Sequence, residues 1–320
     1  FSPRARHTAW RDLWIALASI DQVVQLDPSQ PISTKTAAVA VSASAAAFVY
    51  ADGSPVLGEL QLAITTIDPS TAALGTAPGP LKELKADGST GASLAAKAMT
   101  DLTFTAGGKG VQLKAGAKAA VAMTIPTALT TDLADGNKLT AYWFDPAAAA
   151  WRSGPEATVT KDVLGNLAAN FDADHFTWWM VAKPIAAAGC FDVTVTLDGK
   201  PAAGADLFAS SWTAGALSKA TSGDTGKACL EGVAGAGAQV GAKVGELTAV
   251  VEAPAPAAGT CGGTCTPVTI ALQSGTACVN YTISGGNAVG GKLVWATDKG
   301  AAGAIVLTGP TGCLPVPAAA

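Results

Sequence analysis

From Ile32 onward the chain runs in short stretches of Thr, Val and Ala, each closed by Gly, Pro or Asp-Gly. Such stretches are AAVAVSASAAAFVY before Asp52-Gly53, ELQLAITTI before Asp68-Pro69, DLTFTA before Gly107-Gly108 and AVAMTIP before the TTDLADGN turn. Apolar runs of strand length, repeated about every 8 to 12 residues with turn chemistry between them, predict an all-β sandwich or barrel. The Ala147 to Ala150 patch has high helix propensity. It is too short to nucleate a helix, so it reads as a turn or linker.

The first 31 residues break this pattern. TAWRDLWIALASIDQVVQLDPSQP, from Thr8, carries long apolar side chains and ends at Pro28 and Pro31. Trp10, Leu13, Trp14 and Leu17 fit a helical stripe, whereas Leu13, Ile15 and Leu17 fit a strand face, and periodicity leaves both open. Either way, an arm this apolar must bury itself against something.

Beyond Pro184 the segment AAAGC reads as a linker, and a repeat begins. CFDVTVTLDGKPAAGADLFA from Cys190 aligns with CVNYTISGGNAVGGKLVWA from Cys278, and KACLEGV around Cys229 matches TGCLPVP around Cys313. Two copies of one β unit follow from this self-similarity. The predicted organisation is an N-terminal arm over 1–31, a jelly-roll-like β-sandwich over 32–185, an immunoglobulin-like repeat over 186–273 and an incomplete second repeat over 274–320.

The repeat suggests the disulfides. Cys190 with Cys229, and Cys278 with Cys313, stand where a first strand and a later strand would face each other. Cys261 and Cys265 remain, in GTCGGTCTP, where glycines permit a tight closure. Six cysteines admit many pairings, and an even count points to an oxidising compartment. Cys261-GGT-Cys265 also has the spacing of a zinc loop, but no second Cys or His pair stands near it in sequence. No metal or other cofactor is therefore expected.

Composition narrows the function. The chain is 49% hydrophobic but only 14% charged and 6% aromatic, with 69 Ala, 36 Gly and 34 Thr among its 320 residues. Small side chains make thin layers between backbones, which suits packed sheets. With 20 Lys+Arg, 24 Asp+Glu and a net charge of -4, there is no basic footprint for nucleic acid. No run is long and apolar enough to span a membrane as a helix. FSPRARHTAW lacks the apolar stretch of a signal peptide, so the chain is expected either to be cytosolic or to have lost its leader. The cysteines favour the second, and an extracellular or cell-surface location. Asn280-Tyr281-Thr282 is a glycosylation sequon, and covalent glycans would solubilise a surface so poor in charge.

Catalytic chemistry is sparse. Asp172, Asp174 and His175 in FDADHFTWWMV suggest an acid/base or metal group, but the neighbouring Phe176, Trp178 and Trp179 make a hydrogen-bonded structural histidine on a closing strand the better expectation. Neither a nucleophile elbow nor a phosphate-binding glycine fingerprint stands in its strand-to-helix context. An enzyme is not expected. Tyr142, Trp143, Phe144, Trp151, Trp178 and Trp179 form either sandwich core or, less in keeping with the Ala/Thr background, a sugar-stacking platform.

The aromatic segments also carry a likeness. LTAYWFDPAAAAWRSGPEATVT followed by FDADHFTWWMVAKPI resembles a segment of cartilage-intermediate-layer-like proteins and of bacterial surface β domains, with YADGSPVLGELQLAITTIDPS and APGPLKEL resembling its earlier part. CFDVTVTLDGKPAAGADLFA, with DGKP and GA between Asp198 and Leu207, resembles the opening of a carboxypeptidase-regulatory-like domain, an immunoglobulin-like or transthyretin-like sandwich. The second copy departs from it at SGGNAVGGKLVW. The resemblance covers about residues 37 to 250, implies a non-catalytic extracellular β protein and transfers no catalytic residue.

An imbalance suggests assembly. The first repeat runs from Cys190 to Leu272, whereas the second starts at Cys278 and is cut short at Ala320. A sheet lacking its last strands exposes an edge, and the arm is a surplus strand. Donation of that arm, anchored by Trp10, Leu13, Trp14, Ile15 and Leu17, to the second repeat of a neighbour would be β-augmentation. Donor and acceptor at opposite ends propagate an open homopolymer. The expected function is a subunit of an extracellular filament or surface fibre, with copies of itself as partners. The alternative is a monomeric adhesin or carbohydrate-binding module with the arm folded onto its own first domain.

Overall fold

The computed structural model describes residues 20–245 and 247–273 and, beyond them, the backbone of four strands between 276 and 317. Thirteen strands come first: β1 (Gln22–Leu26), β2 (Ile32–Lys35), β3 (Val39–Ala43), β4 (Phe48–Tyr50), β5 (Leu60–Ile67), β6 (Lys82–Leu84), β7 (Thr90–Ala106), β8 (Lys109–Leu113), β9 (Ala119–Thr124), β10 (Lys138–Asp145), β11 (Ala150–Lys161), β12 (Leu167–Ala173) and β13 (Trp178–Pro184). The protein is all-β, and among the described residues only two short 3-10 turns interrupt the strands.

Strict alternation builds the first sandwich. In β3 the residues VAVSA are buried at every second position, and β9 does the same, as a strand with one face on a core requires. Antiparallel pairing runs β1-β5-β7-β13-β10-β11-β12-β9-β3-β2. One core nonetheless collects Leu62 and Ile64 from β5, Phe104 from β7, Val159 from β11 and Val41 from β3. Strands so far apart in hydrogen-bonding order meet only if the sheet folds over into two layers. Ala147 and Ala148 sit in the tight β10–β11 turn, their N–H groups donating to Asp145 Oδ1 at 3.0 and 3.2 Å.

The long strand β7 serves two cores. Its register against β13 slips between Val181 and Ala182, so that Lys97 is an extra residue between the Ala96 and Ala98 pairs. A bulge of one residue exchanges the two faces of a strand. Leu94 and Ala96 before it lie in one apolar cluster, with Met99, while Ala98, Leu102 and Phe104 after it lie in the main core. Lys97 itself is buried, its ammonium donating to Asp132 Oδ1 at 2.7 Å and Leu129 O at 3.1 Å, which satisfies a charge that burial would otherwise penalise.

The second sandwich comprises β14 (Ala188–Leu197), β15 (Lys200–Pro201), β16 (Asp206–Ser211), β17 (Ala216–Thr221), β18 (Lys227–Val233), β19 (Ala238–Val244), β20 (Leu247–Ala253) and β21 (Thr266–Leu272). One sheet pairs β18 with β14 antiparallel and β14 with β21 parallel; the other runs β17-β16-β19-β20. Phe191, Val193 and Val195 of β14 share its core with Ile270 of the neighbouring β21 and with Leu207 and Val240 of the other sheet.

The two sandwiches are not joined by a linker, contrary to the reading of AAAGC. Residues 185–187 alone separate β13 from β14, and the neighbouring strands share a seam. Ala96 N–H donates to Gly215 O at 2.8 Å, and Leu81 N–H to Leu217 O at 3.1 Å. Leu217 is buried in the cluster of Leu74, Leu94, Met99 and Trp151, with Phe208 and Trp212 packed against it. The close approach is made at Ala96, Gly215, Leu81 and Leu217, whereas Ala186, Ala187 and Ala188 of the run that reads as a spacer stay exposed.

Four further strands follow: β22 (Thr276–Thr282), β23 (Lys292–Ala296), β24 (Ala302–Val306) and β25 (Thr311–Pro317). β22 pairs only with β25, and β23 only with β24, among the described residues. The register repeats that of the second sandwich. Cys190 stands opposite Glu231 with Cys229 two residues away, and Cys278 stands opposite Pro315 with Cys313 two residues away.

The N-terminal arm is divided. Gln22–Leu26 forms β1 on β5 of its own sandwich, and Asp21 caps the pairing by accepting from Thr66 N–H at 2.7 Å and from its hydroxyl. The 1–31 donor reading is corrected to this extent: QVVQL of β1 pairs along β5 and forms the chain's own sheet edge. Trp10, Leu13, Trp14, Ile15 and Leu17 lie outside the described residues.

Candidate functional site

Three features concentrate chemistry, and the first is the aromatic face of the first sandwich. Successive residues of a strand point to opposite faces, and the aromatic residues divide accordingly. Tyr142 and Trp151 are buried in the seam cluster with Phe144 and Trp178 packed on it, whereas Trp179 is buried in the main core with Trp143 packed on that. They form no single platform. Two residues of β11, Gly154 and Pro155, bulge opposite Ala141 of β10. A Cβ at Gly154 would lie 3.1 Å from the Trp179 ring and 3.0 Å from Ala141 O, so glycine is what lets the strand lie on the indole. Pro155 brings no N–H to leave unpaired at the bulge.

Trp143 and Trp179 flank His175, their ring centroids 4.9 and 5.1 Å from the imidazole. His175 lies in the bend between β12 and β13, not on the closing strand. Its Nδ1 meets Asp174 Oδ1 at 2.6 Å, Trp179 Nε1 donates to its carbonyl at 3.3 Å, and its buried Nε2 has no partner among the described residues. An open cleft of about 490 Å³ lies here, lined by Trp143, Gly154, Asp172, Asp174, His175 and Lys118. Arg152, paired with Asp145 at 2.7 Å, approaches the Trp143 ring at 6.0 Å.

The second feature is the seam's polar rim. Glu231 of β18 accepts from Lys82 at 2.6 Å and from the Ser93 hydroxyl. Burial alone would raise its carboxyl, but the bonds from Lys82 and Ser93 and the charge of Lys82 outweigh this and hold it below the ordinary glutamate range. A depressed carboxylate contributes stability above its unfolded pKa, and the contribution disappears as pH falls through the folded value. The pair is partly exposed, so about 1 kcal/mol or less is at stake. In urea unfolding, Glu231→Gln should sit below wild type at neutral pH and converge with it in acid. A gap that persists unchanged in acid would contradict this role.

The third feature is a group of four cysteines. Cys190 of β14 bonds to Cys265, and Cys229 of β18 to Cys261, with Cα separations of 4.8 and 5.7 Å. This corrects the Cys190–Cys229 and Cys261–Cys265 pairings. Cys190 and Cys229 are diagonal neighbours on adjacent strands of one sheet, a placement that holds the two residues roughly 7 to 8 Å apart, beyond the span a disulfide bridges. The loop between β20 and β21 lies across both strands instead and supplies one cysteine to each. Pro256 packs so tightly against Gly189 and Gly232 that a Cβ at Gly189 would stand 2.7 Å from its ring. Side chains of Cys278, Cys313 and Asn280 lie outside the described residues; the shared register gives the first two the same diagonal placement.

No known family matches the sequence, and no curated protein does. Among solved structures, a streptococcal ancillary pilin is similar at 7% identity over 58% of this chain and 79% of its own, with a TM-score of 0.21. The TIE protein of Bacillus anthracis is similar at 10% identity over 94% of this chain and 52% of its own, with a TM-score of 0.20. Scores at that level convey no shared architecture beyond β-strand content.

Proposed function

We propose that the protein is a structural subunit of an extracellular surface fibre, assembled head-to-tail when the segment before Ile20 of one copy adds a strand to the C-terminal β segments of the next. The observation that carries this reading is the pairing of β22 with β25 and of β23 with β24 as two-stranded ribbons, without a third strand among the described residues. A two-stranded sheet is marginal alone, and its edges are templates for another strand. The segment with Trp10, Trp14 and Ile15 has the apolar character to serve. β1 already belongs to its own sandwich, so the donor is the part of the arm that precedes it.

Other features agree. The shared core of the two sandwiches favours a stiff unit over beads on a linker, and the two disulfides favour an oxidising compartment. In this reading the chain is not an enzyme, and Asn280 and the abundant threonines are open to glycans. The resemblance to bacterial surface β domains points the same way.

Deletion of residues 1–19, which leaves β1 intact, tests the proposal. Wild type should form high-mass species that grow with concentration, seen by sedimentation and negative-stain microscopy, and the deletion should leave a folded monomer with an unchanged unfolding midpoint. Polymers from the truncated chain, or a wild type monomeric at all concentrations, would overturn the assembly. The second outcome would favour a monomeric adhesin or carbohydrate-binding module, the reading that the cleft beside Trp143 supports.

A further inference from the structure

The zinc reading of Cys261-GGT-Cys265 fails in sequence for want of a second pair of ligands. Folding supplies that pair. Cys190 and Cys229, on neighbouring strands, rise beneath the loop, and the sulfurs of Cys190, Cys229 and Cys265 lie within 4.8 Å of one another. Cys261 joins them through its bond to Cys229. We propose that the reduced chain binds one zinc ion at this point through all four thiolates.

The geometry suits the ion. Zinc–sulfur bonds of about 2.3 Å in a tetrahedron place the sulfurs roughly 3.8 Å apart. The two non-bonded sulfurs of Cys229 and Cys265 already stand at 3.8 Å. The bonded pairs reach that spacing by side-chain rotation once the disulfides open. Three residues between Cys261 and Cys265 match the spacing of zinc loops, and a tetrahedral all-sulfur set selects zinc over the harder divalent ions. The two strand ligands are fixed by the ladder between β14 and β18, so half of the site is pre-formed. A cavity of about 210 Å³ in the seam is lined by Cys229 and Cys261 together with Glu231 and Lys82, and so reaches one side of the cluster.

The chemistry balances with a dithiol as reductant. Two equivalents reduce the two disulfides to four thiols and are themselves oxidised to two disulfides. One zinc ion then displaces four protons and forms a tetrathiolate of charge minus two, beside the Lys82 ammonium. Metal binding does the same mechanical work as the disulfides, pinning the loop across β14 and β18 before oxidation replaces it. The proposal concerns the reduced chain and stands apart from fibre assembly, which is assayed on the oxidised chain.

Full-length protein, reduced anaerobically by a dithiol and freed of it, is titrated with cobalt(II) as a probe and then with zinc(II). One cobalt per chain should appear with thiolate charge-transfer and tetrahedral ligand-field bands, and zinc should bleach them. Cys261→Ser/Cys265→Ser should lose the bands and Cys278→Ser/Cys313→Ser should keep them. Because a loop variant can fail to fold, alkylation of the wild type provides a second measure: zinc should protect four of the six cysteines and leave Cys278 and Cys313 to react. Absence of the bands in reduced wild type, bands of equal strength in the loop variant, or alkylation of all six cysteines at the same rate with and without zinc would overturn the site.

Discussion

Replacement of Trp179 by Ala will destabilise the first sandwich by about 3 to 5 kcal/mol, the range for deleting a fully buried large aromatic side chain. Trp179 has no exposed surface. Its ring lies 5.1 Å from Phe171 and 5.1 Å from His175, and the Gly154 bulge rests on it. Backbone at a β-bulge cannot collapse easily into the space left behind, so the cavity term should be paid nearly in full. Trp179→Phe, which keeps most of the contact but loses the bond to the His175 carbonyl, should cost much less. Equilibrium urea unfolding measures both, and a loss under 1 kcal/mol for the alanine variant would show that the bulge relaxes.

Removal of both bridges, Cys229–Cys261 and Cys190–Cys265, is expected to be comparably severe. That bridge spans 75 residues and Cys229–Cys261 spans 32, for which loop-closure entropy gives on the order of 4 kcal/mol each in an otherwise uncrosslinked chain. The two bridges close overlapping loops onto the same segment, so their effects should not add. Cys190→Ser/Cys265→Ser alone should lose half of that figure, roughly 2 kcal/mol, because Cys229–Cys261 still holds the loop. Removing all four should cost more than the two single losses together, because the bridge that cushions each single variant is then gone as well. Midpoints of urea unfolding for the three variants decide it, and strict additivity would mean that the two bridges constrain independent parts of the unfolded chain.

Strand patterning was open to reading because each β-strand is a local object. The alternation in VAVSA or LQLAITTI depends only on neighbours two residues apart, and Gly, Pro and Asp-Gly mark the turns by backbone preference alone. The repeat was visible for the same reason, since matched cysteines and apolar positions survive in a linear alignment. Lys97 was not readable in this way. Nothing local marks it as a bulge, because the signal is a slip against β13, some eighty residues on, and it changes which core every later residue of β7 enters. The candidate sites behaved alike. His175 and the Trp residues could be named in advance, but their division between two faces could not, since it depends on strand register and on which segments, Leu74 and Leu81 among them, cover the outer face.

The cysteines draw the boundary most clearly. By itself the sequence determined an all-β chain of sandwich units, with a repeated pair of cysteines and an extra CGGTC segment, because composition, period and spacing are properties of the chain alone. The tertiary structure decided that the repeated pair is diagonal and does not close on itself, that the CGGTC loop bridges both strands, and that the two sandwiches pack directly on one another where Leu217 meets Leu94 and Trp151. Those outcomes depend on strand register and on close approach of backbones distant in sequence, and register is fixed only when the sheets are assembled.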